Sequence, residues 1–189
     1  MKESKKIESF LEAIEFAAYR HRSDKPKYGE PYINHVISVC SLVGVVGEID
    51  DEVTLVAAAL HDVLEKSNAK PNELNFQFGE EVYNIVLELT DHHSDADADL
   101  FQKQLERASS LSAKARVIKM ADKIANVKAI LNNPPDDWDM EKKSLYINWA
   151  ERIVNSLRGT NKKLEEYFDE IIASGIKNKS FIPDGVNAS

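Results

Sequence analysis

Near the start of the chain, Ile7, Phe10, Leu11, Ile14 and Ala18 recur at steps of three and four, with charged residues between them. This spacing gathers the apolar side chains on one face and predicts an amphipathic first helix. The pattern stops at "RHRSDKPKYGEP", where Pro26, Gly29 and Pro31 among polar residues predict a loop. A second helix is expected from about Tyr32 to Val46, ending at "GEID", where Asp50 or Asp51 suits the cap of the next element.

The third predicted helix, about 51–66, is apolar nearly all round through Leu60, which places it at the centre of the domain. Its last turn carries the adjacent polar pair His61–Asp62. A short helix follows "SNAKPNEL", and Gly79 separates it from "EEVYNIVLELTD". Further helices fit roughly 99–110, 112–131 and 138–174, the last broken or kinked near Gly159. No alternating strand pattern or internal repeat interrupts them, and the acidic "SDADAD" is the one low-complexity tract. The expected fold is all-α, a single helical bundle over 1–175, with 176–189 a flexible tail because "IKNKSFIPDGVNAS" loses helical periodicity.

Composition narrows the function. A chain of 189 residues that is 43% hydrophobic supports one substantial core. The net charge of −8 disfavours nucleic acid and anionic membranes as partners, so an anionic ligand requires a local cluster of cations. Neither a signal-peptide core nor a window of roughly 18 apolar residues is present, and a cytoplasmic location is expected. Cys40 is the single cysteine, lies in apolar sequence and is expected to pack in the core.

Of the five histidines, His35 and His61 fall in segments that read as helical and buried. Each alone fits a core histidine bonded to one backbone group. Asp62 stands beside His61, and Asp122 borders the apolar stripe of Val117, Ile118, Ala121, Ile124 and Ala125. Burying ionised carboxylates costs several kcal/mol without a cation or hydrogen bonds, so two such aspartates near two histidines point to a divalent metal such as Mn, Fe or Zn. Asn126 follows Asp122 by one helical turn, and Glu65 follows His61 by one turn, where it can orient or deprotonate a water. Lys66 can contact a phosphate, or simply favour the helix dipole.

Taken in order, "PYINH", "LHDVLEKS", "FGEEVYNIVLELTD" and "IKMADKIANVKAI" resemble the HD-domain alarmone hydrolases. These are the hydrolase half of RelA/SpoT-type proteins and the stand-alone small alarmone hydrolases, among them the metazoan SpoT homologs. The likeness runs from about Tyr19 to Glu166. It implies a helical HD-domain bundle in which His35, His61, Asp62 and Asp122 hold one central divalent ion, usually Mn²⁺. It also implies that Glu65 is the first acid of a catalytic Glu–Asp pair and that Asn126 lies near the nucleotide sugar. Trp138, Lys142, Tyr146 and Trp149 resemble the helix that completes the pocket. The implied reaction removes pyrophosphate from the 3′ position of guanosine tetra- or pentaphosphate, a small-molecule substrate. Lys25 and Lys142 are the preferred phosphate contacts, with Lys27, Lys66, Lys123 and Lys128 as further sources of charge.

The chain departs from that pattern in three places. Lys66 occupies the position of the second catalytic acid and cannot accept a proton while it is an ammonium. Ser23–Asp24 stands where arginine tends to stack on the base. The loop "DHHSDADADL" is acidic in place of a basic segment; His92, His93 and Asp95 there fit a solvated loop or a second cation site. Two alternatives follow: a phosphatase acting on a single phosphate such as the 2′-phosphate of NADPH, and an attenuated member that binds a nucleotide as a sensor. Oligomeric state is left open.

Overall fold

The computed structural model describes residues 2–24, 29–91, 97–108 and 110–185. The regular elements among them are helices, in the order α1 Lys2–His21, α2 Tyr32–Ser41, α3 Glu52–Leu60, α4 Val63–Lys66 and α5 Pro71–Phe78. Then follow α6 Glu80–Leu89, α7 Asp97–Ala108, α8 Ala113–Asn132, α9 Met140–Ser156 and α10 Lys162–Lys177. α2 runs without interruption into a π-helical turn, Leu42–Val46, so the element ends where the sequence pattern placed it. No described helix is long and apolar enough to cross a membrane.

Two helices organise the bundle. α3 buries Val56, Ala57, Ala58, Ala59 and Leu60 and packs against α1, α2, α6 and α8. α1 meets it with the fully buried Ala13 and Ala17, small side chains that let two helices approach closely. α8 touches α2, α3, α6, α9 and α10, and every residue from Val117 to Val127 is buried. One continuous core joins the elements, and Cys40 belongs to it, its thiol pushed up to about 12 by burial.

Side chains fix the helix starts. Asp51 caps α3 by accepting from the Thr54 amide at 2.9 Å, Ser112 caps α8, Asp139 caps α9 and Asn161 caps α10. The expected break near Gly159 is real: that glycine has φ 85°, in the left-handed region, and separates α9 from α10.

Two expectations are revised. The helix drawn through 51–66 is interrupted at His61 and Asp62, and α4 starts afresh with the Lys66 amide donating to the Asp62 carbonyl at 2.9 Å. Beyond α10, residues expected to form a tail are docked as far as they are described. Phe181 is buried, the Ile182 amide donates to Ser144 Oγ at 2.8 Å, and Asn148 Nδ2 donates to the Ile182 carbonyl at 2.9 Å. Gly175 makes room for this return, since a Cβ there would stand 3.0 Å from the Phe181 ring and 3.1 Å from Leu131.

Leu60→Ala, at a fully buried position, is expected to lower stability by about 2–5 kcal/mol in denaturant titrations. Asp51→Ala is expected to cost about 1 kcal/mol at neutral pH. Burial works against the Asp51 carboxylate, but hydrogen bonds from Thr54 and Lys114 outweigh it and hold its pKa below the usual range. Its contribution is therefore complete above the unfolded aspartate pKa and fades as pH falls through the depressed folded value, so the gap between variant and parent closes in acid.

Candidate metal centre and active site

Consecutive residues in a regular helix point about 100° apart. His61 keeps helical dihedrals (φ −54°, ψ −33°) at the end of α3, and Asp62 departs from them (φ −104°, ψ −5°) before α4 begins. His61 Nδ1 donates to the Ala58 carbonyl at 2.9 Å, which leaves Nε2 as the inward-facing lone pair. That Nε2 is buried, makes no hydrogen bond, and lies 3.2 Å from Asp62 Oδ2. From α2, His35 Nε2 stands 3.2 Å from Asp122 Oδ1 and 3.6 Å from Asp62 Oδ2. Asp122, in the middle of α8, closes the group at 4.0 Å from His61 Nε2.

Candidate ligand atoms of His35, His61 and Asp62 all lie within 4.8 Å of one another. Two imidazole nitrogens and two carboxylates make a donor set suited to a divalent first-row ion. A buried imidazole nitrogen without a hydrogen bond is the observation that favours a metal over a self-contained polar cluster. Burial disfavours charge on His61, but the Asp62 and Asp122 carboxylates outweigh it and raise its pKa.

Behind the ligands stands a support that sequence reasoning passed over within "PYINH". Tyr32 Oη donates to Asp62 Oδ2 at 2.5 Å, and burial followed by Asp62 pushes the phenol pKa far up. Its ring stacks on His21 at 4.7 Å, and His21 Nδ1 lies 2.7 Å from Asp24 Oδ2. Asp24, marked as a departure because it stands where arginine tends to stack on the base, is thus engaged with His21.

α8 supplies one wall of a cavity of about 350 Å³ beside the ligand cluster. Lys119, Asp122, Lys123 and Asn126 follow the i, i+3, i+4, i+7 spacing, so a polar stripe runs down a helix that is otherwise buried in apolar contacts. Asn126 Nδ2 donates to Asp122 Oδ1 at 2.8 Å, and Lys123 Nζ lies 3.0 Å from Asp122 Oδ2 and 4.6 Å from the centre of the Trp149 ring. Burial opposes the Lys123 charge, but Asp122 outweighs it.

Opposite α8, Glu65 lines the cavity with one carboxylate oxygen accepting from the Asp91 amide at 3.2 Å and the other in contact with Lys66 Nζ. Tyr146 and Trp149 from α9 complete the wall with their rings 5.2 Å apart. Of the residues expected from sequence, His61, Asp62, Glu65, Lys66, Asp122, Asn126 and Tyr146 share this cavity, and His35 reaches its ligand cluster. Lys142 does not line it: its ammonium is exposed, 3.5 Å from Asp137 and 5.0 Å from the Trp138 ring. Lys128 is exposed and donates to Tyr167 Oη at 3.0 Å. Lys25, Lys27, His92, His93 and Asp95 lie outside the described residues. The cavity also contains Lys119, Asp91 and Gln104, which sequence reasoning did not single out.

A model of the HD domain matches residues 13–153. The chain belongs to the HD-domain family. HD domains are metal-dependent hydrolases, in keeping with the cluster above. It is 39% identical over 164 residues to the guanosine-3′,5′-bis(diphosphate) 3′-pyrophosphohydrolase MESH1 of Drosophila melanogaster, covering 86% of this chain and 92% of that one. The Homo sapiens protein of the same name is 37% identical over 158 residues, covering 82% and 88%. A solved structure described as a metazoan ortholog of SpoT that hydrolyses ppGpp superposes with a TM-score of 0.84 at 38% identity, over 88% of this chain and 94% of the other.

Tyr32→Phe removes the hydrogen bond to Asp62 while keeping the stacked ring. It is expected to weaken divalent-metal affinity about 10- to 100-fold in chelator competition, with helical content unchanged by circular dichroism.

Proposed function

We propose that this HD domain is a metal-dependent 3′-pyrophosphohydrolase of guanosine tetra- and pentaphosphate or a close relative, working with Mn²⁺ in the cytoplasm. The observation that carries the reading is the convergence of His35, His61, Asp62 and Asp122 beside a cavity that also holds Glu65 and buried ammonium groups. The activity named for the MESH1 relatives supports it.

A divalent ion held by the four ligands supplies Lewis-acid polarisation of a phosphoryl oxygen and eases deprotonation of a water. Glu65 is the proton acceptor for the attacking water, with its carboxylate steadied by the Asp91 amide. The water oxygen bonds to the proximal phosphorus as the bond from that phosphorus to the ribose 3′-oxygen breaks; the 3′-oxygen takes up a proton, and pyrophosphate leaves carrying the water oxygen. Asn126 orients Asp122 and faces the sugar. Tyr146 offers its ring to the nucleoside, and Lys25 serves an outer phosphate of the substrate, a role that Lys142, directed outside the cavity, does not share.

The contact of Lys66 with Glu65 favours a second reading, an attenuated enzyme or nucleotide sensor. The ammonium neutralises the carboxylate that must accept a proton, and Lys66 pKa is raised because the pairing with Glu65 outweighs its burial.

Mn²⁺-loaded protein incubated with ppGpp, ppApp and NADPH is expected to release pyrophosphate from an alarmone, and His61→Ala is expected to abolish release. Orthophosphate from NADPH alone would instead identify a phosphomonoesterase, and silence on all three substrates would leave the sensor. Lys66→Asp is expected to raise turnover about tenfold or more, the scale of positioned acid–base assistance. A variant no faster than the parent refutes the restraint on Glu65.

A further inference from the structure

Burying an ammonium is costly unless good partners compensate it. Lys123 has them in Asp122 and the face of Trp149. Lys119 does not. It is 8% exposed, lines the cavity, and its partner carboxylate, Asp91, lies 3.4 Å away. Asp91 is already served by others: Gln104 Nε2 donates to Oδ2 at 2.5 Å and Arg107 Nη1 donates to Oδ1 at 3.1 Å. Arg107 is itself fixed by the Glu88 carbonyl at 3.1 Å. Asp91 therefore keeps a strong cationic partner when Lys119 turns away.

Burial, and then the neighbouring Lys123 charge, hold the Lys119 pKa below the ordinary lysine value. An arriving anion relieves both penalties. A second observation agrees. Gln104 is 9% exposed and lines the same cavity, and its Oε1 is buried without a hydrogen-bond partner, so the amide can turn and offer its Nε2 to an incoming anion. Lys119 also precedes Asp122 by three residues on one helix, so the two side chains lie on neighbouring positions of one face.

We propose that Lys119, with Gln104, seats the distal phosphate of a diphosphate group whose proximal phosphate lies at the His35–His61–Asp62–Asp122 centre. This rests on the hydrolase reading and deepens it, because it makes Lys119 the residue that selects a diphosphate over a single phosphate. Lys123 stays on Asp122, and Lys119 is the ammonium that moves.

The test uses inorganic pyrophosphate and orthophosphate as probes, titrated by calorimetry into the Mn²⁺-loaded full chain. The parent is expected to prefer pyrophosphate. Lys119→Gln is expected to lose about 10- to 100-fold in pyrophosphate affinity, the worth of a charge-assisted hydrogen bond. Its orthophosphate affinity and metal content are expected to stay as in the parent, and Lys162→Gln, on the exposed face of α10, is expected to behave as the parent throughout. Preference retained in a metal-replete Lys119→Gln protein overturns the assignment alone. A parent without preference also overturns it, and ppGpp turnover by the same preparation then shows whether the hydrolase reading survives. Should Lys119→Gln fail to fold, the ¹⁵Nζ resonance of Lys119 in the parent protein decides: it is expected to move with pyrophosphate and not with orthophosphate, and a signal unmoved at saturating pyrophosphate refutes the proposal.

Discussion

Two carboxylates, Asp62 and Asp122, share one buried spot, and the rest of the architecture follows from that constraint. Like charges at short range in a poorly solvated interior repel strongly and demand positive charge or donated hydrogen bonds. The molecule supplies both kinds of compensation. Tyr32, Asn126 and Lys123 each give a hydrogen bond or an ion pair to one of the carboxylates, and the imidazoles of His35 and His61 face them from the other side. A divalent ion would add the positive charge that two carboxylates at one buried spot call for. The arrangement is thus suited to a cation, and the departure from regular helix at Asp62 lies within it.

The charge pattern widens outward from that spot. Asp91 gathers Gln104, Arg107 and Lys119, while its amide steadies Glu65. A net negative protein thereby keeps the ammonium groups of Lys66, Lys119 and Lys123 in one cavity, set among the carboxylates of Asp62, Glu65, Asp91 and Asp122. Repulsion of phosphate at long range and attraction at close range coexist because the two act over different distances and dielectrics.

Much of this was legible in the sequence. Helix periodicity located most of the elements, and Asp51, one of two residues suggested as a cap, takes that role. The cluster of His35, His61, Asp62 and Asp122 was legible because polar residues in apolar helices demand compensation. The interruption at 61–62 was not, since the apolar spacing continues through it. Lys119 was countable at three residues before Asp122, yet lysine is so seldom buried that a helical lysine reads as solvated. Tyr32 and Asp91 depend on contacts between segments 30 and 26 residues apart, with Asp62 and Glu65 respectively, which periodicity does not report. Lys142 shows the converse: it sits on the helix that supplies Tyr146, but on a face that turns its charge outside the cavity.

The return of the chain after α10 ties the carboxyl end to α9. Ser144 and Asn148 grip Ile182, while Tyr146 and Trp149 of the same helix wall the cavity. The segment that follows α10 is therefore a strut for the binding surface. A substitution at Phe181 or Ile182 acts through α9 on the aromatic wall, at a distance in sequence from every residue that lines it.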